Sequence, residues 1–379
     1  MRILVTFIGG LGHFHPLEPV ARSAAAAGHE VAVAGSGALV PQVESAGFRA
    51  LATSPAPEVR ATARDLTPLE TADERAAEVE FAENFADKGA RRHARVVGEH
   101  LRAWRPDVVV RDEADLGTAI ATEAFGVPCV TVLVLAAGLL VRPELVGPPL
   151  AALRAEHGLR PDPGLRMLTG DVVLAPFAPS FRSPDSPVAL PERTLWFRSA
   201  APAPAPRRSS RPRVYVTLGT TFASASGDLF ERLLAGLADV DADVLVTVGR
   251  RVDPAELGAQ PPHVRVERFV PQAEVLPTVD LVVSHGGSGS LMAALAHGLP
   301  SVLLPLGADQ PHNARRAAEL GLARTLDAAT ATPAQVRAAV GAALDDEAAA
   351  GRARLVAEEL AGLPDVEEAV RWLEALPSG

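Results

Sequence analysis

The chain has 379 residues, 48% of them hydrophobic, and a formal net charge of -10 at pH 7. Its length and apolar content predict two globular domains, and its negative charge argues against nucleic acid or an anionic membrane as a partner. The single cysteine, Cys129, has no partner for an internal disulfide, and the apolar run after Arg2 is too short for a signal core or a membrane span. We therefore expect a cytoplasmic protein that binds small molecules.

The first half alternates short β-rich runs with longer helical patterns. The runs are RILVTFI, HEVAVAG, FRALAT, DVVVRD and VPCVTVLV. This alternation predicts βαβ units on a parallel sheet. Pro16 and Gly28 bracket the first helix, because proline is tolerated in a first turn and glycine accepts a left-handed end. Residues 66–104 interrupt the alternation with a charged, alanine-rich segment, which predicts inserted helices.

A proline-rich segment, SAAPAPAPRRSSRPR, separates the two halves. Its composition predicts an extended, solvated linker at residues 201–212. The alternation then restarts with VYVTLG, DVLVTVG, VRVERFV, DLVVSHG and SVLLPL, so a second βαβ domain follows. The predicted domains are residues 1–200 and 213–362, and residues 363–379 should form a helix that docks back on the N-terminal domain.

The turn HGGSGS connects the run DLVVS to a helical pattern. Gly286, Gly287 and Gly289 would expose backbone N–H groups at a helix N-terminus, which can bind a phosphate oxygen without a lysine. Lysine is scarce, since Lys88 is the only one in the chain. His285 would add a ring N–H and, as a protonated imidazole, a charge. The same glycines could merely permit a tight turn, so this segment alone leaves both interpretations open.

Two neighbouring segments point to the same place. VERFVPQAEVLP precedes the turn and PLGADQPHNARR follows the next strand, so both lie at the carboxyl ends of parallel strands, where open α/β sheets bind ligands. Phe269 offers a flat face for a base. Asp309 and Gln310 could cap a helix or, as a carboxylate beside an amide, hold the vicinal hydroxyls of a sugar.

FVPQAEVL, HGGSGS and PLGADQ, in this order and spacing, resemble the nucleotide-sugar signature of family 1 glycosyltransferases. The similarity covers nearly the whole chain and is strongest with bacterial enzymes that decorate natural products such as macrolide antibiotics. It implies the GT-B fold, an α/β architecture of two Rossmann-like, doubly wound parallel-sheet domains that face a central cleft. It also implies an enzyme that uses an NDP-sugar as co-substrate.

The resemblance assigns roles to the donor-binding residues. Phe269 would stack on the base and Val270 would present its backbone to it. His285 would bind the diphosphate, the pair Asp309 and Gln310 would hold the donor sugar, and Thr220 would lie near the phosphates. The complete donor-binding set implied is Thr220, Phe269, Val270, His285, Gly287, Ser288, Gly289, Ser290, Asp309 and Gln310.

The resemblance extends to GLGHFHP, in which His13 matches the catalytic base of a G-H-x-x-P element. Sugar transfer requires removal of a proton from a hydroxyl group, and histidine titrates near the working pH. Asp112, at the end of DVVVRD, should orient the ring. A packing role for His13 and a helix N-cap role for Asp112 are the structural alternatives. Phe14 and His15 are expected to contact the acceptor, although packing at the helix start is an equal alternative for His15.

The donor nucleotide is expected to be dTDP. Plant members of the family have a ribose-binding glutamate where this chain has Ala293, so their UDP-glucose preference does not carry over. Bacterial relatives that use dTDP-deoxysugars tolerate this change. The N-terminal half would bind a small-molecule aglycone, and a single displacement would convert an α-linked donor into a β-glycoside.

Several competing interpretations remain. Gly10 and Gly12 begin a dinucleotide-binding G-x-G-x-x-G pattern, but His15 replaces its third glycine. The sequence DVDAD, residues 239–243, contains D-x-D but should be a solvated loop, so we expect no metal and no resident cofactor. A nucleotide-sugar epimerase or a non-catalytic nucleotide-sugar-binding protein could share the fold. The oligomeric state stays open, a homodimer included.

Overall fold

The computed structural model describes residues 1–56, 64–199, 211–219 and 223–376. These residues form two compact units. Over the described residues, unit 1 consists of residues 1–56, 78–199 and 363–376, and unit 2 of residues 64–77, 211–219 and 223–362. The predicted linker, residues 201–212, lies outside the described residues except for its last two positions.

Unit 1 is built on a seven-stranded parallel sheet with the order β3-β2-β1-β4-β5-β6-β7. The strands are β1 (Arg2–Thr6), β2 (Glu30–Gly35), β3 (Arg49–Ala52), β4 (Val108–Asp112), β5 (Cys129–Val132), β6 (Val173–Ala175) and β7 (Thr194–Trp196). The first helices of the chain are α1 (Leu11–Phe14), α2 (Glu18–Ala26), α3 (Val40–Ser45), α4 (Glu74–Phe81), α5 (Ala90–Trp104), α6 (Leu116–Phe125) and α7 (Pro143–Glu156). A π-helical segment, Ala82–Gly89, joins α4 to α5.

The strand order of this sheet reverses between β1 and β4. The two strands pair in parallel, with Ile3 opposite Val108 and Thr6 opposite Arg111. Such a reversal opens a crevice outside the carboxyl ends of both strands, because the connections leave toward opposite faces of the sheet. The residues that follow β1 and β4 are therefore placed side by side.

Unit 2 contains a six-stranded parallel sheet with the order β10-β9-β8-β11-β12-β13. The strands are β8 (Arg213–Thr217), β9 (Asp243–Thr247), β10 (Val264–Glu267), β11 (Leu281–Ser284), β12 (Ser301–Leu303) and β13 (Ala323–Thr325). The helices are α8 (Leu229–Leu237), α9 (Gln272–Val275), α10 (Ser288–Ala296), α11 (Gln310–Glu319), α12 (Pro333–Leu344) and α13 (Glu347–Ala361). The order reverses between β8 and β11, so this sheet has the same kind of crevice.

The last helix of the chain, α14 (Val366–Glu374), belongs to unit 1 and packs against α2. The chain is held there by polar contacts as well. The backbone N–H of Arg198 donates to the carbonyl of Pro364 at 2.9 Å, and Nε2 of His29 lies 3.0 Å from Oε1 of Glu374. The helix predicted at residues 363–379 is therefore present over its described part.

Residues 64–77 pack in unit 2, so the predicted N-terminal domain of residues 1–200 is corrected at this segment. Arg64 anchors it. The guanidinium donates hydrogen bonds to both carboxylate oxygens of Glu231 and one, at 2.7 Å, to the carbonyl of Gly227. These partners lie more than 160 residues away along the chain, so no local sequence pattern indicates them.

Every predicted β-rich run contains a strand, and the two units have the predicted parallel sheets. Gly28 has the predicted left-handed backbone, with φ of +88°. The predicted inserted helices are confirmed as α4, the π-helical segment and α5. The sequence did not indicate β6, β7 and β13, which have three residues each. In the described part of the chain, no helix combines the length and the apolar character that crossing a membrane requires.

Candidate active site

The first candidate site lies at the carboxyl ends of β1 and β4. After β1, Gly9 has φ of +92°, and the short helix α1 follows with His13 on it. A Cβ atom at Gly9 would lie 3.0 Å from Cδ2 of the His13 ring. A side chain at position 9 would therefore be strained in its backbone and would crowd the imidazole.

His13 and Asp112 meet at this edge of the sheet. Nδ1 of His13 lies 3.4 Å from Oδ2 of Asp112, whose side chain is fully buried. The carboxylate also accepts hydrogen bonds from the backbone N–H groups of Ile8 at 2.8 Å, Ala114 at 2.6 Å and Asp115 at 2.8 Å. Because three amides fix the carboxylate, it can hold Nδ1 in place. The imidazole, 20% exposed, then presents Nε2 as its second nitrogen.

The neighbouring carboxylates have other partners. Oε2 of Glu113 accepts from the N–H of Val134 at 2.6 Å, and burial raises the pKa of Glu113. Asp115 caps α6 by accepting from the N–H of Thr118 and lies 3.0 Å from Nδ1 of buried His93. Burial alone would raise the pKa of Asp115, but His93 and Thr118 together hold it below its usual range. The N-cap of α6 is therefore Asp115, and the carboxylate of Asp112 faces His13.

The expected acceptor contact of Phe14 is corrected by its burial. Phe14 is 2% exposed, and its ring packs against Phe7 at 5.3 Å and edge-on against Phe48 at 6.5 Å between centroids. It is a core side chain. His15 is exposed, and partial desolvation lowers its pKa against an opposing effect of Glu18.

The second candidate site lies at the carboxyl ends of β8 and β11. His285 follows β11, Gly286 turns the chain with φ of +83°, and Gly287 is the N-cap of α10. A Cβ atom at Gly287 would lie 2.6 Å from Nε2 of His285, and one at Gly219, after β8, would lie 2.7 Å from Cε1. The imidazole is therefore packed between two glycine backbones, and both glycines are needed for its position.

Burial lowers the pKa of His285 to about 4, despite opposing effects from Asp309 and from a hydrogen bond with the backbone of Thr217. In this structure the ring is therefore neutral at pH 7, which does not support the expected protonated imidazole. A neutral imidazole carries one N–H, which can donate to a phosphate oxygen in the tautomer that does not use it on the backbone carbonyl of Thr217. Positive potential comes instead from the N-terminus of α10.

Asp309 connects the first turns of α10 and α11. Its Oδ2 accepts from Oγ of Ser288 at 2.6 Å and from Nδ2 of Asn313 at 2.7 Å. The Asn313 amide also donates to the carbonyl of Gly286 at 3.0 Å. Sequence reasoning missed Asn313, although its position four residues after Asp309 on one helix was a usable signal.

The loop between β12 and α11 is held from inside. Gln310 is buried, and its Oε1 accepts from the N–H of Leu306 at 2.8 Å. Ala308 has φ of +53°, a left-handed conformation that is strained for a residue other than glycine and that recurs at functional loops. Because Oε1 already accepts a hydrogen bond from the loop, Gln310 would contact a sugar through its Nε2.

Phe269 is 47% exposed, as a stacking platform requires. Arg250 lies three residues after the end of β9, and its guanidinium is 4.2 Å from the centroid of the Phe269 ring. Sequence reasoning did not single out Arg250. Val270, next to Phe269, is partly buried and packs against the hydrophobic core between α9 and α10.

The remaining predicted residues lie at the start of α10. Gly289 faces open space, because a Cβ atom there would meet nothing within 4 Å. Oγ of Ser290 accepts from Nε2 of Gln272 at 3.4 Å, so part of its hydroxyl is used within the unit. Thr220 lies outside the described residues.

Comparisons with known proteins agree with both units. A family described as "Erythromycin biosynthesis protein CIII-like, C-terminal domain" matches residues 231–376. The elloramycin glycosyltransferase ElmGT of Streptomyces olivaceus is 31% identical, over 96% of this chain and 94% of that protein. The L-demethylnoviosyl transferase of Streptomyces niveus is 30% identical, over 96% of this chain and 95% of that protein. The solved structure of the glycosyltransferase VinC in complex with dTDP is 27% identical, with a TM-score of 0.74 over 99% of this chain and 98% of that one.

These similarities extend over nearly the whole chain, and the two parallel sheets, of seven and six strands, match those of the glycosyltransferase structures. The family, the fold class and the enzyme class expected from the sequence are confirmed. The chain belongs to the NDP-sugar-dependent glycosyltransferases of antibiotic biosynthesis, and its fold is GT-B.

Proposed function

We propose that this enzyme transfers a sugar from a dTDP-sugar to a hydroxyl group of a natural-product aglycone, with inversion at the anomeric carbon and His13 as the general base. The observation that carries the proposal is the buried Asp112 carboxylate, held by three amides against Nδ1 of His13. The dTDP assignment is supported by VinC, whose structure holds that nucleotide. Relatives named as tylactone mycaminosyltransferase and 10-deoxymethynolide desosaminyltransferase support an aglycone acceptor.

On the acceptor side, Nε2 of His13 takes the proton of the hydroxyl as its oxygen forms a bond to the anomeric carbon. Asp112 keeps the ring in the tautomer that carries its proton on Nδ1, so that Nε2 has the lone pair that accepts the proton. It also offsets the positive charge that the imidazole gains. Displacement from the face opposite the leaving group converts an α-linked donor into a β-glycoside.

On the donor side, the bond between the anomeric carbon and the diphosphate oxygen breaks, and the electron pair stays on the diphosphate. The N–H groups at the start of α10 and the ring N–H of His285 would stabilise this growing negative charge. These groups are supplied by the fold, so the proposed reaction needs no resident metal or cofactor.

The test is His13→Ala, with Asp112→Asn as a second variant. We expect kcat to fall by about 100-fold or more for each variant, the usual size of general-base effects, while dTDP affinity in calorimetry stays unchanged. The exposed His157, far along the chain on the end of α7, gives the matched control His157→Ala, which should keep full activity.

Products are to be identified by mass spectrometry with a panel of dTDP- and UDP-sugars and aromatic and macrocyclic aglycones. Retained turnover in His13→Ala would place the base elsewhere. Conversion of the donor sugar without any acceptor would indicate an epimerase, and binding without product from any pair would indicate a non-catalytic protein.

A further inference from the structure

Three rings form a column at the edge of unit 1 that carries His13. The rings of Phe81 and Phe85 stack with centroids 4.9 Å apart and an angle of 7° between their planes. The ring of Phe85 in turn stacks on the imidazole of His13, with centroids 5.6 Å apart and an angle of 20°. Phe81, at one end of the column, is buried, and Phe85 in the middle is partly buried. His13, the proposed general base, forms the other end, and its side chain is 20% exposed.

The backbone that carries Phe85 is unusual. It belongs to the π-helical segment Ala82–Gly89, eight residues long, whereas π-helical turns are rare, are mostly single turns and concentrate at functional sites. The end of this segment is fixed by close packing. A Cβ atom at Gly89 would lie 2.6 Å from Cδ1 of Ile8, the residue whose N–H binds Asp112. The wide turn is thus seated directly against the strand end that supports the His13 and Asp112 pair.

The imidazole needs such a support. Rotation of a histidine ring about its last side-chain torsion is broad, so the torsion itself does not fix the ring plane. Asp112 contacts only one nitrogen, at 3.4 Å, which restrains one edge of the ring. Gly9 approaches the opposite edge, and Phe85 covers a face. Offset stacking at such a centroid distance is favourable, so Phe85 restrains the ring plane that the carboxylate leaves free.

We propose that Phe85 is a positioning residue for the general base: stacking from the π-helical turn fixes the plane of the His13 ring so that Nε2 meets the acceptor hydroxyl. This inference rests on the proposed role of His13. Misplacement of a catalytic group by about 1 Å can cost about 100-fold in rate. The effect of losing the stack should therefore appear in kcat, because binding of the acceptor does not depend on the plane of the imidazole.

The first experiment compares Phe85→Leu with Phe85→Tyr. We expect Phe85→Leu to lower kcat by about 10- to 100-fold, with the KM values for donor and acceptor within about threefold of wild type. Phe85→Tyr keeps a planar ring in the same place and should restore most of kcat. The matched control is Phe81→Leu, which changes a ring of the same column that does not touch His13 and should affect kcat far less.

The second measurement is nuclear magnetic resonance, which detects the stacking of the Phe85 ring on the His13 imidazole. In spectra of histidine-labelled enzyme, the ring protons of His13, assigned with His13→Ala, should be shifted upfield by the phenyl ring of Phe85 relative to those of exposed His157. This shift should persist in Phe85→Tyr and disappear in Phe85→Leu. The wild-type measurement stands alone if Phe85→Leu does not fold, and an unshifted His13 signal would overturn the proposal.

The remaining outcomes separate this inference from the proposed function. An inactive His13→Ala together with a wild-type kcat in Phe85→Leu would overturn the positioning role and leave His13 as the base. A raised acceptor KM with unchanged kcat would make Phe85 a substrate contact instead. An active His13→Ala would overturn the proposed function, and the role of Phe85 through His13 would fall with it.

Discussion

At the scale of single residues, the environment of His285 decides its charge. The ring lies between the backbones of Gly219 and Gly287, and burial lowers its pKa to about 4, from an ordinary value of 6.5. Between these two values the unfolded chain binds the proton and the folded chain does not. The contribution of His285 to stability is therefore fully present above pH 6.5 and is lost as the pH falls through about 4.

The prediction concerns the difference in unfolding free energy between wild type and His285→Gln. As the pH falls from 7 to 4, this difference should shrink by up to about 3 kcal/mol, because only the wild type has the titrating imidazole. Urea unfolding at a series of pH values measures it. His157→Gln, at an exposed position, is the control and should run parallel to wild type. A parallel curve for His285→Gln as well would show that His285 is not desolvated.

The sequence identified the chemistry of single residues better than their surroundings. His13, Asp112 and His285 could be found because each lies at or just after the end of a predicted strand, in a recognisable motif. The neutral state of His285 could not be found, because the glycine that covers one side of it comes from a different strand end. Phe14 was misjudged for the same reason: its burial depends on Phe7 and Phe48, which belong to other parts of the chain.

At the scale of elements, α10 offers a direct test of the anion site. Gly289 lies in its first turn, and a Cβ atom there would meet no protein atom within 4 Å. Packing therefore does not explain this glycine. Because a helical Cβ tilts toward the N-terminus, a methyl group at position 289 would cover the N–H groups that are proposed to bind the diphosphate.

Gly289→Ala should stabilise the fold by about 0.5–1 kcal/mol, because alanine is the better helix former. The same change should weaken dTDP binding by about tenfold or more, a cost of about 1.4 kcal/mol. Gly341→Ala is the matched control, since Gly341 lies inside α12 and a Cβ atom there also meets nothing within 4 Å. It should give the same stabilisation with unchanged affinity. Calorimetry with dTDP and thermal unfolding measure both effects, and unchanged affinity in Gly289→Ala would remove the helix end from the donor site.

Elements were predictable where the pattern was long enough. The alternation of apolar runs and helical patterns predicted the strands β1 to β5 and β8 to β12. The order of these strands in each sheet agrees with the connections of a doubly wound fold. The strands β6, β7 and β13 have only three residues each, too few to show a period. The π-helical segment could not be predicted from the sequence either, because its end packs closely against Ile8, which is distant along the chain.

At the scale of the whole molecule, the chain crosses between the two units more often than a linear division into domains suggests. Residues 64–77 belong to unit 2, and the boundary falls inside α4. The chain returns to unit 1 after Gly362, the residue that follows the long helix α13. A division drawn from composition places a boundary at the proline-rich segment, where the sequence changes its character, and the return to unit 1 at residue 363 was predicted as well. Contacts such as that of Arg64 with Glu231 leave no such local mark.

Because α14 follows unit 2 along the chain but belongs to unit 1, a substitution in it should show which unit it stabilises. Leu373 on α14 is 1% exposed and Leu355 on α13 is 64% exposed, so Leu373→Ala should cost about 2–4 kcal/mol and Leu355→Ala under about 0.5 kcal/mol. Because α14 packs against α2, the loss should appear in unit 1 although α14 follows unit 2 along the chain. Hydrogen exchange read by mass spectrometry should show lower protection in α2, β1 and β2, with β8 and β11 unchanged in Leu373→Ala. Lower protection confined to β8 and β11 would mean that the last helix stabilises unit 2 instead.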